Sequence, residues 1–192
     1  MEPVTLEGRF VRLEPLSSAH LPGLCAAGLD PTIWTWMPRP VSDEAAMRGW
    51  VDEALAAREA GTALPFAIVT RADGTVAGST RFMAIEHPHR RLEIGWTWLG
   101  SRFQRTAANT EAKLLLMEYA FATMGVHRVE FKTDALNARS RAALLRIGAT
   151  EEGTLRGHMV TASGRVRDSV YFSVLAPEWP AVRERLTARL AR

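Results

Sequence analysis

A succession of strand-like segments, interrupted once by a helix, constrains the fold of this chain more than any other feature. The strand segments cover residues 64–70, 75–84, 91–99 and 127–133, with a helix from about Asn109 to Gly125 between the last two. The first pair flanks Asp73-Gly74, which is typical of a hairpin turn. Hairpins are antiparallel, whereas a strand reached through a helix lies parallel to its predecessor, so the centre of the chain predicts a mixed sheet.

The flanking segments extend this pattern on both sides. They comprise a strand over 6–15, helices after Ser17 or Ser18 and after Ser42-Asp43, a helix over 137–147, a hairpin of 150–160 and 166–175, and a last helix from near Pro177. We therefore expect an α/β fold with a mixed, mostly antiparallel central sheet, one central parallel strand pair, helices on both faces and a C-terminal helix. With 192 residues and no repeats or linkers, the chain is predicted to form a single domain over residues 1–192.

Composition excludes several classes of protein. Apolar residues make up 47% and charged residues 23% of the chain, which is typical of a folded domain. No segment approaches the roughly 18 consecutive apolar residues of a membrane helix, and the N-terminus lacks a secretory pattern. The single cysteine, Cys25, cannot form an intrachain disulfide, so we expect a cytoplasmic protein. A net charge of +3 without an aromatic-interleaved basic stripe argues against nucleic acid as a partner.

The most informative segment for function is 93–116, where a strand leads through a short loop into a helix that we expect Asn109 to cap. The start of a helix presents free backbone N–H groups and the positive end of the helix dipole, which together bind phosphate. Arg102 and Arg105 are close enough in sequence to add positive charge there. The alternative is an ordinary strand-to-helix connection with solvated arginines.

The residues of this loop carry a family resemblance. Gln104, Arg105, Thr106, Ala107, Ala108 and Asn109 resemble the acetyl-CoA signature Arg/Gln-x-x-Gly-x-Gly/Ala of the GNAT superfamily of N-acetyltransferases. The following Thr110-Glu111-Ala112-Lys113, then Asn137-x-x-Ser140 and Gly164 to Asp168, are similar to its ribosomal-protein N-terminal acetyltransferase-like branch. The resemblance implies the GNAT fold, acetyl-CoA as co-substrate bound by the loop and Thr110, no metal, and acetyl transfer to a primary amine.

The loop departs from the family pattern at two positions. Arg105 and Ala107 stand where glycine is preferred, and glycine allows close backbone approach to phosphate and a positive φ. Alanine still offers its N–H at a negative φ, and Arg105 either blocks the pocket or binds a phosphate. Two alternative functions therefore remain open. One is transfer of another acyl group such as succinyl, and the other is a non-catalytic module that binds CoA esters.

The resemblance also assigns catalytic roles. Glu93 corresponds to the general base, unless it pairs with Arg90 or Arg91 at the strand edge. Backbone N–H groups near Trp98 and Leu99 are the expected oxyanion donors.

The remaining family roles fall on one helix. Leu144 stands where many relatives have a tyrosine acid, so the expected acid is Ser140, whose alternative role is to cap a backbone N–H. Asn137 is expected to cap its helix and to bind the pantetheine arm of CoA.

The acceptor is the least constrained part of the prediction. Trp34, Trp36 and Trp96 are candidates for the walls of an acceptor pocket, although aromatic residues at alternate strand positions more often pack in a core. His158 is a candidate second base or a structural residue of the late hairpin. A protein N-terminus, an aminoglycoside-like antibiotic, a polyamine and an amino acid are all compatible acceptors. The late hairpin and the last helix are candidate surfaces for a homodimer.

Overall fold

The computed structural model describes residues 2–191, which form one eight-stranded sheet with helices packed on both faces. The strands are β1 (Leu6–Glu7), β2 (Val11–Pro15), β3 (Leu64–Thr70), β4 (Val76–Glu86), β5 (Arg91–Leu99), β6 (Arg128–Asp134), β7 (Thr150–Val160) and β8 (Val166–Leu175). They lie in the order β1-β2-β3-β4-β5-β6-β8-β7, and every neighbouring pair is antiparallel except β5 and β6, which are parallel. The mixed, mostly antiparallel sheet predicted from the sequence is confirmed.

Five α-helices cover the two faces of this sheet. They are α1 (Leu21–Gly28), α2 (Glu44–Glu59), α3 (Ala107–Glu118), α4 (Ala138–Ile147) and α5 (Trp179–Leu190). The first two pack on one face around Trp34, Trp50 and Trp98. The other three pack on the opposite face around Phe66, Phe82 and other core residues. Among residues 2–191, no helix has the length and apolar character needed to cross a membrane.

The N-terminal strand expected over 6–15 is two short strands joined by a tight turn. Val11 and Leu13 are buried on one side of β2, as the alternating pattern predicts. The break arises because the Glu111 carboxylate of α3 accepts hydrogen bonds from the backbone N–H groups of Arg9, Phe10 and Val11, at 2.8, 2.6 and 2.7 Å. A side chain a hundred residues away therefore sets the turn.

The cap of α3 differs from the prediction. Asn109 was expected at the N-cap, but Thr106 has the extended backbone of a capping residue, and its hydroxyl accepts the N–H of Ala108 at 3.2 Å. The same hydroxyl donates to the carbonyl of Phe103 at 2.7 Å. Thr106 therefore caps one N–H group of the first turn. Asn109 is the third helical residue and lines the cleft described below.

The sheet opens between its two parallel strands. β5 pairs with β6 only at Arg91, Leu92 and Glu93, although both strands continue beyond that point. On its other side, β5 has a register shift against β4, and Trp96 within this bulge has a positive φ of 49°. A left-handed conformation is a genuine outlier for a bulky residue, and such bulges concentrate beside functional sites.

Candidate active site

The divergence of β5 from β6 creates the large cleft of the molecule, with a volume of about 480 Å³. That volume lies within the usual range of small-molecule sites. The cleft lies between the ends of these two strands, the loop before α3 and the first turn of α4. The predicted site residues on its lining are Trp36, Glu93, Trp96, Trp98, Leu99, Gln104, Arg105, Thr106, Asn109, Thr110, Asn137 and Ser140. Ala107, Ala108, Trp34 and His158 are not part of the lining.

Glu93 is the buried acid of the cleft, with 5% of its surface exposed. Its carboxylate lies 3.4 Å from Lys132 Nζ on the neighbouring strand. The pairing with Arg90 or Arg91 considered from the sequence does not occur, because Arg90 donates to the carbonyl of Gly125 and Arg91 contacts other glutamates. Burial raises the pKa of Glu93, and the nearby Lys132 only partly offsets this. A carboxylate with a raised pKa is a stronger base than a carboxylate with an ordinary pKa.

Gly95 leaves the space that the Glu93 carboxylate occupies. A Cβ on Gly95 would lie 2.9 Å from Glu93 Oε1 and 2.7 Å from Met83 Sδ. The glycine of the Glu-Ile-Gly stretch is therefore explained by the position of the acid two residues earlier.

Lys113 of α3 is a second buried titratable group in the cleft. Its Nζ donates to Thr97 Oγ1 at 3.1 Å and lies 5.1 Å from the centre of the Phe131 ring. Burial lowers the pKa of Lys113 to about 7, and the charge of Glu93 opposes this shift. In the sequence, Lys113 is only part of the family pattern, and no local signal predicts a buried amine of lowered pKa at this site.

The loop before α3 adopts a backbone conformation that residues other than glycine disfavour. Arg105 has a φ of 61°, in the left-handed region where glycine is preferred. Ala107 begins the helix with ordinary helical geometry, so the absence of glycine imposes no strain there. The Arg105 side chain lies on the cleft lining. The loop therefore carries local backbone strain at Arg105.

The end of β5 exposes one backbone edge to the cleft. In antiparallel pairing, successive residues direct their N–H groups to opposite sides, and Trp98 and Leu99 lie opposite Ser79 and Gly78. The carbonyl of Leu99 accepts a hydrogen bond from Gln104 Nε2 at 2.9 Å, so the backbone of Leu99 is the one that faces the loop. Arg139 of α4 in turn donates to Gln104 Oε1 at 2.6 Å. This chain of hydrogen bonds fixes the loop between β5 and α4.

Asn137 and Ser140 lie together at the start of α4. The Asn137 side chain accepts the backbone N–H of Ser140 at 3.0 Å, which confirms the predicted cap. Asn137, and not Ser140, is thus the capping side chain of this helix. Both residues and the buried Leu144 line the cleft.

The aromatic residues divide between core and cleft. Trp34 is 3% exposed, its Nε1 donates to the carbonyl of Gly28 at 2.6 Å, and its ring packs against Trp50 and Trp98. Trp34 is therefore a core residue that does not line the cleft, because packing against α2 covers it. Trp36 and Trp96 do line the cleft.

His158 lies in β7 of the late hairpin, outside the lining of the cleft. Its Nδ1 is 3.0 Å from Ser169 Oγ, and its ring meets Tyr171 edge to face. Burial lowers the pKa of His158, and the positive charges of Lys132 and Arg167 lower it further. These contacts fit the structural alternative for His158.

Comparison with known proteins identifies the family of this chain. The family model for the acetyltransferase (GNAT) domain matches residues 11–150. A crystal structure of a GCN5-related N-acetyltransferase from Brucella melitensis is 37% identical, with a TM-score of 0.90 over 98% of this chain and 86% of that one. RimJ of Mycobacterium smegmatis, solved in complex with CoA-disulfide, has the same fold at 24% identity, with a TM-score of 0.84 over 97% and 95% of the two chains.

A curated relative bears on the branch of the family. The putative ribosomal N-acetyltransferase YdaF of Bacillus subtilis (strain 168) is 34% identical over 107 residues, which is 56% of this chain. The matched stretch spans 57% of that relative's length. This similarity agrees with the ribosomal-protein acetyltransferase-like branch. The family match includes β5, the loop before α3 and the start of α4, which together form the cleft. The chain therefore belongs to the GNAT family of acetyltransferases.

Proposed function

We propose that this protein transfers an acetyl group from acetyl-CoA to a primary amine, with Glu93 as general base. The observation that carries the proposal is the position of Glu93, a buried acid with a raised pKa at the point where β5 and β6 separate. The amine attacks the thioester carbon, the ammonium proton passes to Glu93, and the carbon–sulfur bond breaks to release CoA.

The reaction also needs a hydrogen-bond donor to the oxyanion and a proton donor to the leaving sulfur, which we assign to the backbone of β5 and to α4. The Leu99 N–H, on the unpaired edge of β5, is the oxyanion donor that we propose, because it points to the same side as the carbonyl that binds Gln104. The Ser140 hydroxyl, on the cleft lining, is the proposed donor of the proton to the leaving sulfur. Asn137 would orient the pantetheine arm from the same helix turn.

The phosphates of acetyl-CoA are assigned to the loop and the start of α3. Free backbone N–H groups of the first helical turn and the helix dipole favour negative charge there. Arg105 and Arg139 add two cationic side chains on the same lining. These features favour binding despite the missing glycines, although Thr106 already satisfies the N–H of Ala108.

Acetyl-CoA turnover with a panel of amines tests this function against both alternatives. Release of CoA, measured with a thiol reagent, is compared for acetyl-CoA and succinyl-CoA, and binding of each is measured by calorimetry. We expect amine-dependent release with acetyl-CoA. Release only with succinyl-CoA would establish the other acyl transfer, and binding without release from any amine or peptide would establish a non-catalytic module. Ser140→Ala is expected to lower kcat while leaving acetyl-CoA binding unchanged.

A further inference from the structure

A guanidinium group with unsatisfied hydrogen-bonding capacity lies on the cleft beside the proposed base. The Arg167 side chain of β8 is 6% exposed and belongs to the cleft lining. Within residues 2–191, its Nε has no hydrogen-bond partner. The carboxylate that pairs with it, Asp134, has its Oδ2 at 3.8 Å, which is too far for a hydrogen bond. A buried, incompletely paired charge is costly, so its presence points to a ligand.

Asp134 pairs more closely with Arg165 than with Arg167. Asp134 Oδ2 accepts a hydrogen bond from Arg165, and Oδ1 accepts the backbone N–H of Leu136 at 3.0 Å. Arg165 thus neutralises Asp134, which is 1% exposed. Arg165 and Arg167 therefore share one carboxylate, and one positive charge is left over.

Lys132 adds a second positive charge at the same end of the cleft. Its Nζ lies 3.4 Å from Glu93, so the proposed base also has a cationic partner already. Arg167 is near enough to Glu93 for its charge to lower the pKa of that carboxyl. The two acids on the cleft lining, Glu93 and Asp134, therefore each have a cation in place, and the surplus charge around them is positive. A polycationic acceptor would meet like charges here.

We propose that Arg167 and Lys132 form a carboxylate-binding subsite, so that the acceptor is a primary amine with a carboxylate a few bonds from its nitrogen. This inference rests on the proposed function, because it places the acceptor nitrogen beside Glu93. Guanidinium and carboxylate groups form strong, charge-assisted pairs, and the Arg167 side chain brings such a cation to the cleft lining. When the acceptor's carboxylate binds there, its ammonium group is held beside Glu93, and the carboxylate offsets the buried positive charge of Arg167.

The test compares acceptors that differ only in the carboxylate. Free amino acids are compared with their amides, and peptides that begin with Asp are compared with the same peptides that begin with Asn. Spermidine represents the polyamines. We expect kcat/KM to be at least about tenfold higher for the acid member of one of these pairs. The amides have less basic amines, so intrinsic reactivity favours them, and a preference for the acid must come from binding. The pair that shows the preference identifies the source as free amino acid or peptide.

Two variants test whether the preference for acceptors with a carboxylate comes from the proposed subsite. Arg167→Gln should raise KM for the acid by about tenfold or more, with little change in kcat and no change in KM for the amide. Arg189→Gln, at an exposed position of α5, removes the same charge and should change neither value. Acetyl-CoA binding by calorimetry verifies that each variant is folded. The wild-type comparison of acid and amide remains decisive if Arg167→Gln does not fold.

The outcomes separate this inference from the function on which it rests. No release of CoA with any amine would overturn the proposed function. Release with equal kcat/KM for acids and amides, or with a preference for spermidine, would overturn the carboxylate subsite alone. An effect of Arg167→Gln confined to succinyl-CoA would also overturn it, because the residue would then bind the acyl donor.

Discussion

Lys113 Nζ donates a hydrogen bond to Thr97 Oγ1 at 3.1 Å, and this contact attaches a buried amine of α3 to the bulged part of β5. Thr97 Oγ1 also lies 2.8 Å from Thr80 Oγ1, so the contact continues into β4. The amine is buried, and the charge of Glu93 offsets only part of the cost of burying it. Its protonation should therefore affect the stability of the fold.

Lys113→Met is expected to stabilise the protein, and the gain should depend on pH. The pKa of Lys113 is about 7 in the folded protein and about 10.4 when unfolded, so the unfolded state binds more protons between these values. Wild-type stability should rise with pH across this window relative to the variant. The advantage of Lys113→Met should be largest below pH 7 and smallest near pH 10, as measured by urea unfolding. An advantage independent of pH would contradict a neutral buried amine.

Glu111→Gln should destabilise the fold by about 2 kcal/mol. The carboxylate accepts three backbone N–H groups of the β1–β2 turn, whereas the amide would direct N–H groups at one of them. Glu7→Gln is the matched control, because Glu7 ends β1 beside the same turn and its carboxylate forms an exposed ion pair with Arg71. Its effect should stay below about 1 kcal/mol. Equal effects of the two changes in denaturant unfolding would show that Glu111 does not hold the turn.

Arg105→Gly should stabilise the loop by about 1 kcal/mol, because it removes a non-glycine residue from the left-handed region. Arg105→Ala removes the same guanidinium but keeps a Cβ at this backbone angle, so it should not stabilise the protein. Comparison of the melting curves of the two variants separates the effect of backbone strain on stability from the effect of the Arg105 charge. A stability gain in both variants would assign the effect to the charge of Arg105.

The same pair of variants tests the contribution of Arg105 to acetyl-CoA binding. If its side chain binds phosphate, both variants should weaken affinity, and the loss should decrease at high salt. Unchanged affinity in both would remove Arg105 from the binding site.

The sequence predicts the sheet well because the patterns that specify strands and turns are local. Alternating apolar residues in β2 and the Asp73-Gly74 turn specify strands and a hairpin without reference to the rest of the chain. The cap of α3 is different, since Thr106 and Asn109 are both good capping residues and lie three positions apart. The burial of Ala108 in the core favours Thr106 as the cap of α3, and no local sequence pattern predicts that burial.

The unanticipated residues of the cleft depend on long-range register. Lys132 and Arg167 are separated by 35 positions, and both line the cleft because β6 pairs with β8. Trp96 was a candidate from the sequence, but its left-handed backbone in the β5 bulge could not be predicted from propensity, because an aromatic residue disfavours a positive φ. By contrast, Glu93 was identified from the family resemblance, and burial accounts for its raised pKa.

The most direct test of the account is the rate of acetyl-CoA turnover by Glu93→Gln as a function of pH. Burial raises the pKa of Glu93, and only its carboxylate form acts as base, so wild-type kcat should increase with pH as that group loses its proton. We predict that the variant loses about a hundredfold or more in kcat, loses this limb of the pH profile, and binds acetyl-CoA as the wild type does. A variant with wild-type kcat and an unchanged pH profile would contradict the assignment of Glu93 as the base.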